Sequence, residues 1–274
     1  MSVTFSTCWY AFKSKFDHET YSQWMDNMLS NVNHYYLVVY TDSNGLSALA
    51  KYMENPRIHI VWKPETDFYN YKYKTQWESN HAKNGALNPY VDWRVNMLWN
   101  EKVHFVYETI KNEYFETDYY GWCDIGYFRC AERDLSKAAL KEWCCQAVIE
   151  KLSPTKIYYA LVNNDKDNLK QLSKLVKHKD AAGLPSSPIP DNINTIAGGF
   201  FITHKENMEW WRNTYDEKLS LYFQNSRLVK DDQIIVVDCV LTYPARFNLC
   251  KEENPRFNNW FLFQRFLNPP SPIP

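Results

Sequence analysis

The sequence predicts an α/β fold, a mostly parallel central sheet flanked by helices in a single domain. Three observations carry this. Strand-like and helix-like segments alternate as β-α-β-α-β over residues 3–62. The run YYLVVYT at 35–41 is apolar along its length rather than at every second residue, as a strand buried on both faces requires. No linker or internal repeat divides the 274 residues, a length that suits one large domain.

Residues 3–12 (VTFSTCWYAF) combine β-branched and aromatic side chains and read as the first strand. Residues 19–29 read as a helix, 35–41 as the second strand, and Asp42-Ser43-Asn44-Gly45 as the break after it. A helix over 46–53 precedes the third strand, 57–62 (RIHIVW). The clearest helix spans 91–110, where Val91, Val95, Leu98, Trp99, Phe105, Val106 and Ile110 share one face. Residues 117–124 and 156–162 read as strands, and 163–180 as a polar stretch that is partly helical at best. Three prolines make 183–191 an extended loop. Residues 197–203 (AGGFFIT) read as a strand and 205–223 as a long helix carrying Trp210 and Trp211. The tail 268–274 (NPPSPIP) is too rich in proline for regular structure.

Composition narrows the function. Lys and Arg number 31 against 32 Asp and Glu, which excludes a polybasic nucleic-acid arm or an acidic tail as the main theme. No run of 18 apolar residues and no basic-then-apolar leader is present, so neither a transmembrane helix nor a signal peptide is expected. The seven cysteines are odd in number and lack a C-x-x-C pair. With no Asn-x-Ser/Thr acceptor either, a soluble protein of a reducing, cytoplasmic compartment is expected. The motifs of P-loop hydrolysis, nicotinamide binding, zinc proteolysis and α/β-hydrolase chemistry are missing.

Three local features could carry chemistry. Asp124 ends an apolar strand in Gly121-Trp122-Cys123-Asp124-Ile125-Gly126. Beyond the carboxyl end of such a strand lies the ligand crevice of an open α/β sheet, where a carboxylate suits Mg²⁺ or Mn²⁺ on a diphosphate. Capping the next turn is the plainer role. Lys102 interrupts the apolar stripe of the 91–110 helix, so it must meet a carboxylate, a phosphate or water, or else snorkel past Trp99. Arg94, on the same helix, is expected to be exposed. Gly198-Gly199 enters a strand, as a turn or as a close approach to a ligand. Asp231 and Asp232 either cap the helix that follows or supply a general base for a sugar hydroxyl. Tyr69, Tyr71, Tyr73, Trp77, Trp210 and Trp211 could stack on sugars, although most aromatic residues pack cores. Cys144-Cys145 reads as buried packing in a helix.

In order, the segments VTFSTCWYAF, YYLVVYTD, NPRIHIVWKP, YKYKTQWESNHAKN, WRVNMLWNEKVHFVYETI, DYYGWCDIGYFR, AGGFFITHKENMEWW and KDDQ resemble the HtrL/YibB-like proteins, a branch of the GT-A glycosyltransferases. The likeness covers residues 3–245 and is most specific at WCDIGYFR. It implies a GT-A-like domain over 1–267, with a nucleotide-sugar half at about 1–126 and an acceptor half at about 127–267. It also implies transfer of a sugar from a nucleotide-diphosphate-sugar, UDP-sugar favoured, to a glycan acceptor, assisted by Mn²⁺ or Mg²⁺. Thr7, Tyr10, Thr41, Asp42, Lys102 and Asp124 would bind the donor, with Asp124 as the metal ligand. Gly198, Gly199 and Trp210 would bind the acceptor. Asp232, or Asp231 in its place, would be the base. The family's Asp-x-Asp motif is incomplete here, because its third position is Gly126. A non-catalytic carbohydrate-binding protein on the same fold is the alternative. A nucleotidyltransferase ranks last, since Ala11-Phe12-Lys13-Ser14-Lys15 after the first strand has no glycine.

Overall fold

A computed structural model describes residues 3–163, 165–190 and 194–268. Its strands are β1 (Val3–Trp9), β2 (Tyr36–Thr41), β3 (Ile58–Trp62), β4 (Tyr119–Cys123), β5 (Ile157–Leu161), β6 (Ile196–His204) and β7 (Phe247–Lys251). The helices are α1 (His18–Leu29), α2 (Leu46–Leu49), α3 (Lys74–Lys83), α4 (Trp93–Lys111) and α5 (Lys137–Leu140), followed by α6 (Gln146–Ile149), α7 (Lys166–Lys177), α8 (Met208–Gln224), α9 (Asp232–Thr242) and α10 (Leu262–Phe266). Among the described residues no helix is long and apolar enough to cross a membrane.

The strands form one sheet in the order β3-β2-β1-β4-β6-β5-β7. β6 runs antiparallel to both of its neighbours, and every other pairing is parallel. The α/β class and the mostly parallel sheet expected from the sequence are those found. One apolar core packs α3, α4, α7, α8 and α9 on one face of the sheet. A second packs α1, α10 and the 125–152 segment on the other. All seven residues of β1 are buried, as a central strand covered on both faces demands. Two of its three hydroxyls are paired with side chains, Thr4 with Thr117 at 3.0 Å and Ser6 with Thr109 at 2.8 Å, while the buried Thr7 hydroxyl has no protein partner among the described residues.

This topology decides where a ligand can sit. The chain builds β1, β2 and β3 outward in one direction, then returns to lay β4 on the other side of β1. The carboxyl ends of β1 and β4 therefore flank a switch point, where the following loops diverge and leave a crevice. Because β6 is reversed, its first residues lie beside the last of β4. Cys123 pairs with Phe200, and the Asp124 N–H donates to the Gly199 carbonyl at 2.9 Å.

Several boundaries differ from those read in the sequence. Residues 163–180 contain a full helix, α7, whose N-cap Asp165 accepts from two backbone N–H groups and whose Leu172 and Val176 reach the core. The density of charge along its outer face hides that stripe. β1 ends at Trp9, and Tyr10 and Phe12 turn into the core beyond it. The 46–53 segment divides into one α turn and one 3₁₀ turn. Cys144 and Cys145 lie outside any helix, with Cys145 at the N-cap of α6. Two elements carried little signal, α3 because it buries only Trp77 and Asn80 and β7 because it is a short edge strand. Asp191 and the tail 269–274 lie outside the described residues.

Gly121, in the middle of β4, has no room for a side chain. A Cβ there would lie 2.2 Å from the Phe201 carbonyl oxygen. Gly121→Ala is expected to lower stability by about 3 kcal/mol through overpacking, measured by urea denaturation. An unchanged midpoint would show that β4 and β6 can separate locally.

Candidate active site

At the floor of the switch-point crevice a buried ammonium joins two carboxylates. Lys102 projects from α4, and its Nζ lies 3.1 Å from Asp124 Oδ1 and 3.0 Å from Asp232 Oδ2. It also donates to the Gly198 carbonyl at 2.9 Å. An ammonium has three N–H donors, and each has a protein acceptor. The sequence left Lys102 a choice between a carboxylate, a phosphate, water and a snorkelled position; in the fold it meets carboxylates. The side chains differ in access, with Asp124 39% exposed and Asp232 7%.

Each partner is held from a different direction. Asp124 follows the last residue of β4 and opens a turn closed by the Tyr127 N–H on its carbonyl at 2.8 Å. The Trp122 indole donates to its Oδ1 at 2.6 Å. The turn is thus closed by the Asp124 backbone and not capped by its side chain, whose carboxylate borders the crevice. Gly198 and Gly199 make room for the acids. A Cβ on Gly198 would lie 2.6 Å from Asp232 Oδ2, and one on Gly199 would lie 3.1 Å from Asp124 Oδ2. Asp231 is the N-cap of α9 and accepts from the Gln233 N–H at 3.1 Å. Capping orients Asp231 away from Lys102 and delivers Asp232 to it.

A ladder of buried amides steadies this junction. Asn80 and Val229 exchange two hydrogen bonds, at 2.8 and 2.9 Å. Asn84 donates to the Lys230 carbonyl at 2.8 Å and Asn96 to that of Val229 at 2.9 Å. Asn100 donates back to Asn96, and its Oδ1 accepts from the Tyr215 hydroxyl at 2.7 Å. Sequence reasoning missed these residues. Their signal is present, two pairs spaced by four residues, Asn80 and Asn84 at the end of α3 and Asn96 and Asn100 on α4, but polar side chains at that spacing usually face water.

Electrostatics follow from burial. Desolvation pushes Asp232 up to about 6; Lys102 pulls it down, while Asp231 and Asp124 push it further up. Burial alone would lower the Lys102 pKa, but Asp124 and Asp232 outweigh it and hold the ammonium above its usual range.

The crevice is lined on two sides of this floor. A chamber of about 350 Å³ holds Asp124, Asp231, Asp232, Gly198 and Gly199. Trp99, Trp260 and Phe261 supply aromatic faces beside them. A smaller one of about 120 Å³ extends along Trp9, Tyr10 and Phe12 beneath Trp99. Lys15, Tyr21 and Arg129 border both. Thus the fold brings together Tyr10, Lys102, Asp124, Gly198, Gly199, Asp231 and Asp232. It places the others elsewhere. Thr7 is buried within β1, and Thr41 is turned inward onto the Trp9 carbonyl at 2.7 Å. Asp42 caps the Asn44–Gly45 turn. Trp210 packs against Tyr243 and Phe247 at the β7 edge of the molecule, and Trp77 and Trp211 are buried in the core. Arg94 is half-buried, paired with Asp92 and stacked over Phe12, not free in solvent.

Asp124 also sets what a metal would meet. Its Oδ1 is bonded to Trp122 and Lys102, leaving Oδ2 as the available oxygen. Among the described residues no group of three His, Cys, Asp or Glu can cage an ion. These donors fit a divalent ion that enters with phosphate oxygens, as Mg²⁺ does with one or two carboxylates, and not one held by the protein alone.

The chain belongs to the HtrL_YibB family, described as bacterial protein of unknown function, whose profile matches residues 7–267. No curated protein matches the sequence. A nucleotidyl transferase from Methanothermobacter thermautotroptrophicus superimposes with a TM-score of 0.43 at 8% identity, over 97% of this chain and 98% of that one.

The Asp232 pKa has a consequence for stability. A carboxyl raised above its unfolded value of about 3.9 binds its proton more tightly when folded, so its contribution falls as pH rises from about 4 to about 6. Lys102→Met removes the group restraining that rise, and Asp232 then titrates higher. The expected loss is about 3–5 kcal/mol at pH 8 and smaller at pH 5, read by urea denaturation at both. Equal losses would show that Lys102 acts by packing alone.

Proposed function

With membership of the HtrL_YibB family as the premise, we propose that this protein is a GT-A-like glycosyltransferase. It moves a sugar from a nucleoside-diphosphate-sugar, UDP-sugar favoured, to a glycan acceptor. The observation that supports this best is the buried Asp232 carboxylate, raised to about 6 and ion-paired to Lys102 across from the half-exposed Asp124 in the switch-point crevice. A base with a pKa near the working pH can both take and release a proton. Residues up to about 126 form the donor half in this reading and those from about 127 to 267 the acceptor half. The seven cysteines, all free thiols, suit a reducing, cytoplasmic setting.

In the proposed reaction the acceptor hydroxyl lies against Asp232 and gives it the proton as its oxygen bonds to the anomeric carbon. The glycosyl–phosphate bond breaks, and the diphosphate leaves with the electron pair. Lys102 keeps Asp232 in place and offsets its charge, and Asp231 acts as the helix cap that sets its direction. Trp99, Trp260 and Phe261 exclude water and offer flat apolar faces to sugar rings. Asp124 Oδ2 is the oxygen that would hold Mn²⁺ or Mg²⁺. Such an ion, when bound, supplies positive charge against the leaving diphosphate.

A non-catalytic glycan-binding protein would use the same aromatic rim. It has no need of a desolvated ammonium between two acids, an arrangement that is costly to bury and rarely favoured for stability alone.

A thermal-shift panel of UDP, GDP, CDP and dTDP, with Mn²⁺ and with EDTA, tests the donor class. At about 100 times the dissociation constant UDP is expected to add roughly 2.7 kcal/mol. Asp232→Asn should keep that shift and lose transfer by at least about a hundredfold. Glycan binding with no response to any diphosphate would replace this reading with the glycan-binding one.

A further inference from the structure

Two cations at the mouth of the crevice have no role in the triad on its floor. Arg129 follows the Asp124 turn, and Lys15 follows β1, so they enter from the two strands that flank the switch point. Among the described residues neither has a carboxylate within ion-pair reach. The contacts of Lys15 reduce to the Trp99 face, 5.1 Å from its Nζ. The Arg129 Nε donates to the Gly126 carbonyl at 3.2 Å, which leaves the two terminal amino groups of the fork.

Arg129 is held ready rather than free. Its guanidinium lies 4.1 Å from the Trp24 ring centre, 5.0 Å from that of Phe261 and 5.3 Å from that of Phe16. The backbone before it is fixed by Gln264 on the Tyr127 carbonyl at 2.7 Å and by Asn27 on the Phe128 carbonyl at 2.8 Å. Burial pushes its pKa down, with Tyr21, Asp124 and Asp134 acting in the opposite sense. A desolvated cation is costly without an anion, and three ring faces offset that only in part.

Gly126 connects these facts. A Cβ there would lie 3.0 Å from the Trp24 ring, so any side chain at this position would press on the ring over which Arg129 stacks. Glycine at this position supplies no second carboxylate and leaves the Trp24 face to the Arg129 guanidinium. We propose that Arg129 and Lys15 form a cationic clamp for a diphosphate, carrying charge neutralisation that a second carboxylate and its ion would otherwise organise. The planar fork suits two phosphate oxygens, and Lys15 adds a mobile point charge. The inference rests on the reading of this crevice as a nucleoside-diphosphate site.

Titration calorimetry in EDTA isolates the clamp, with UDP, UMP and inorganic pyrophosphate as ligands. Wild-type protein is expected to bind UDP and pyrophosphate, with UMP weaker. Arg129→Gln should weaken both diphosphates by about tenfold or more, the size of a lost charged hydrogen bond. Arg129→Lys should recover part of the loss. Lys15→Gln, at an exposed position, should weaken them less without altering the unliganded melting temperature. That variant keeps the test open if Arg129→Gln does not fold. UDP affinities within a factor of about two across the variants would overturn the clamp and leave the nucleotide-sugar reading standing. Pyrophosphate binding without UDP binding would support the clamp and remove that reading. No binding of either in EDTA would overturn the clamp.

Discussion

The buried ammonium of Lys102 is the constraint on which the rest of this site depends. It joins α4, the turn after β4, the start of β6 and the first turn of α9 through three short contacts. A charge removed from water is tolerable only with matched partners. Any rearrangement of those four elements would strand it, or leave two carboxylates facing one another. The fold therefore has little freedom where the crevice floor is concerned.

Several otherwise unremarkable residues follow from that constraint. Gly198 and Gly199 are small because the Asp232 and Asp124 carboxylates occupy the space beside them. The reversal of β6 brings its opening residues, not its closing ones, next to Asp124. Asn80, Asn84 and Asn96 fix the segment entering α9 by binding the Val229 and Lys230 carbonyls, and Asn100 braces Asn96 by donating to its carbonyl. Side-chain amides are well suited to this, since one group both donates and accepts and leaves few backbone atoms unsatisfied. Glu101, next to Lys102 in sequence but turned the other way, accepts from the Tyr69 and Asn70 N–H groups and anchors that turn to α4.

Around the floor, aromatic residues do two different things. Most pack both sheet faces, as Trp77, Trp122, Trp143 and Trp211 do with almost no exposure. A minority, Trp99, Trp260 and Phe261, border the crevice and present apolar surface next to the charged centre. Sequence cannot separate the two groups, because burial depends on which helix face meets the sheet. Trp210 illustrates the point. It is adjacent to the fully buried Trp211 and yet faces Tyr243, Phe247 and Arg246 at the edge of the sheet.

Much of the architecture was legible in the amino-acid order alone. The alternation over 3–62, the two-sided apolar run of β2 and the stripe of α4 determine layers and class, because hydrophobic periodicity reports directly on which faces are buried. Asp124 at a strand end and Lys102 in an apolar stripe were visible as anomalies for the same reason. The sequence could not show that these two residues meet, or that Asp232 completes the set, since those contacts join residues 22 and 130 positions apart in the numbering. Nor did it reveal Arg129, Lys15 or the asparagine ladder, whose residue types are common on surfaces. Strand order, the reversal of β6 and the crossing of α4 over the sheet decided those neighbours, because electrostatic pairing acts through space and local pattern records only the chain.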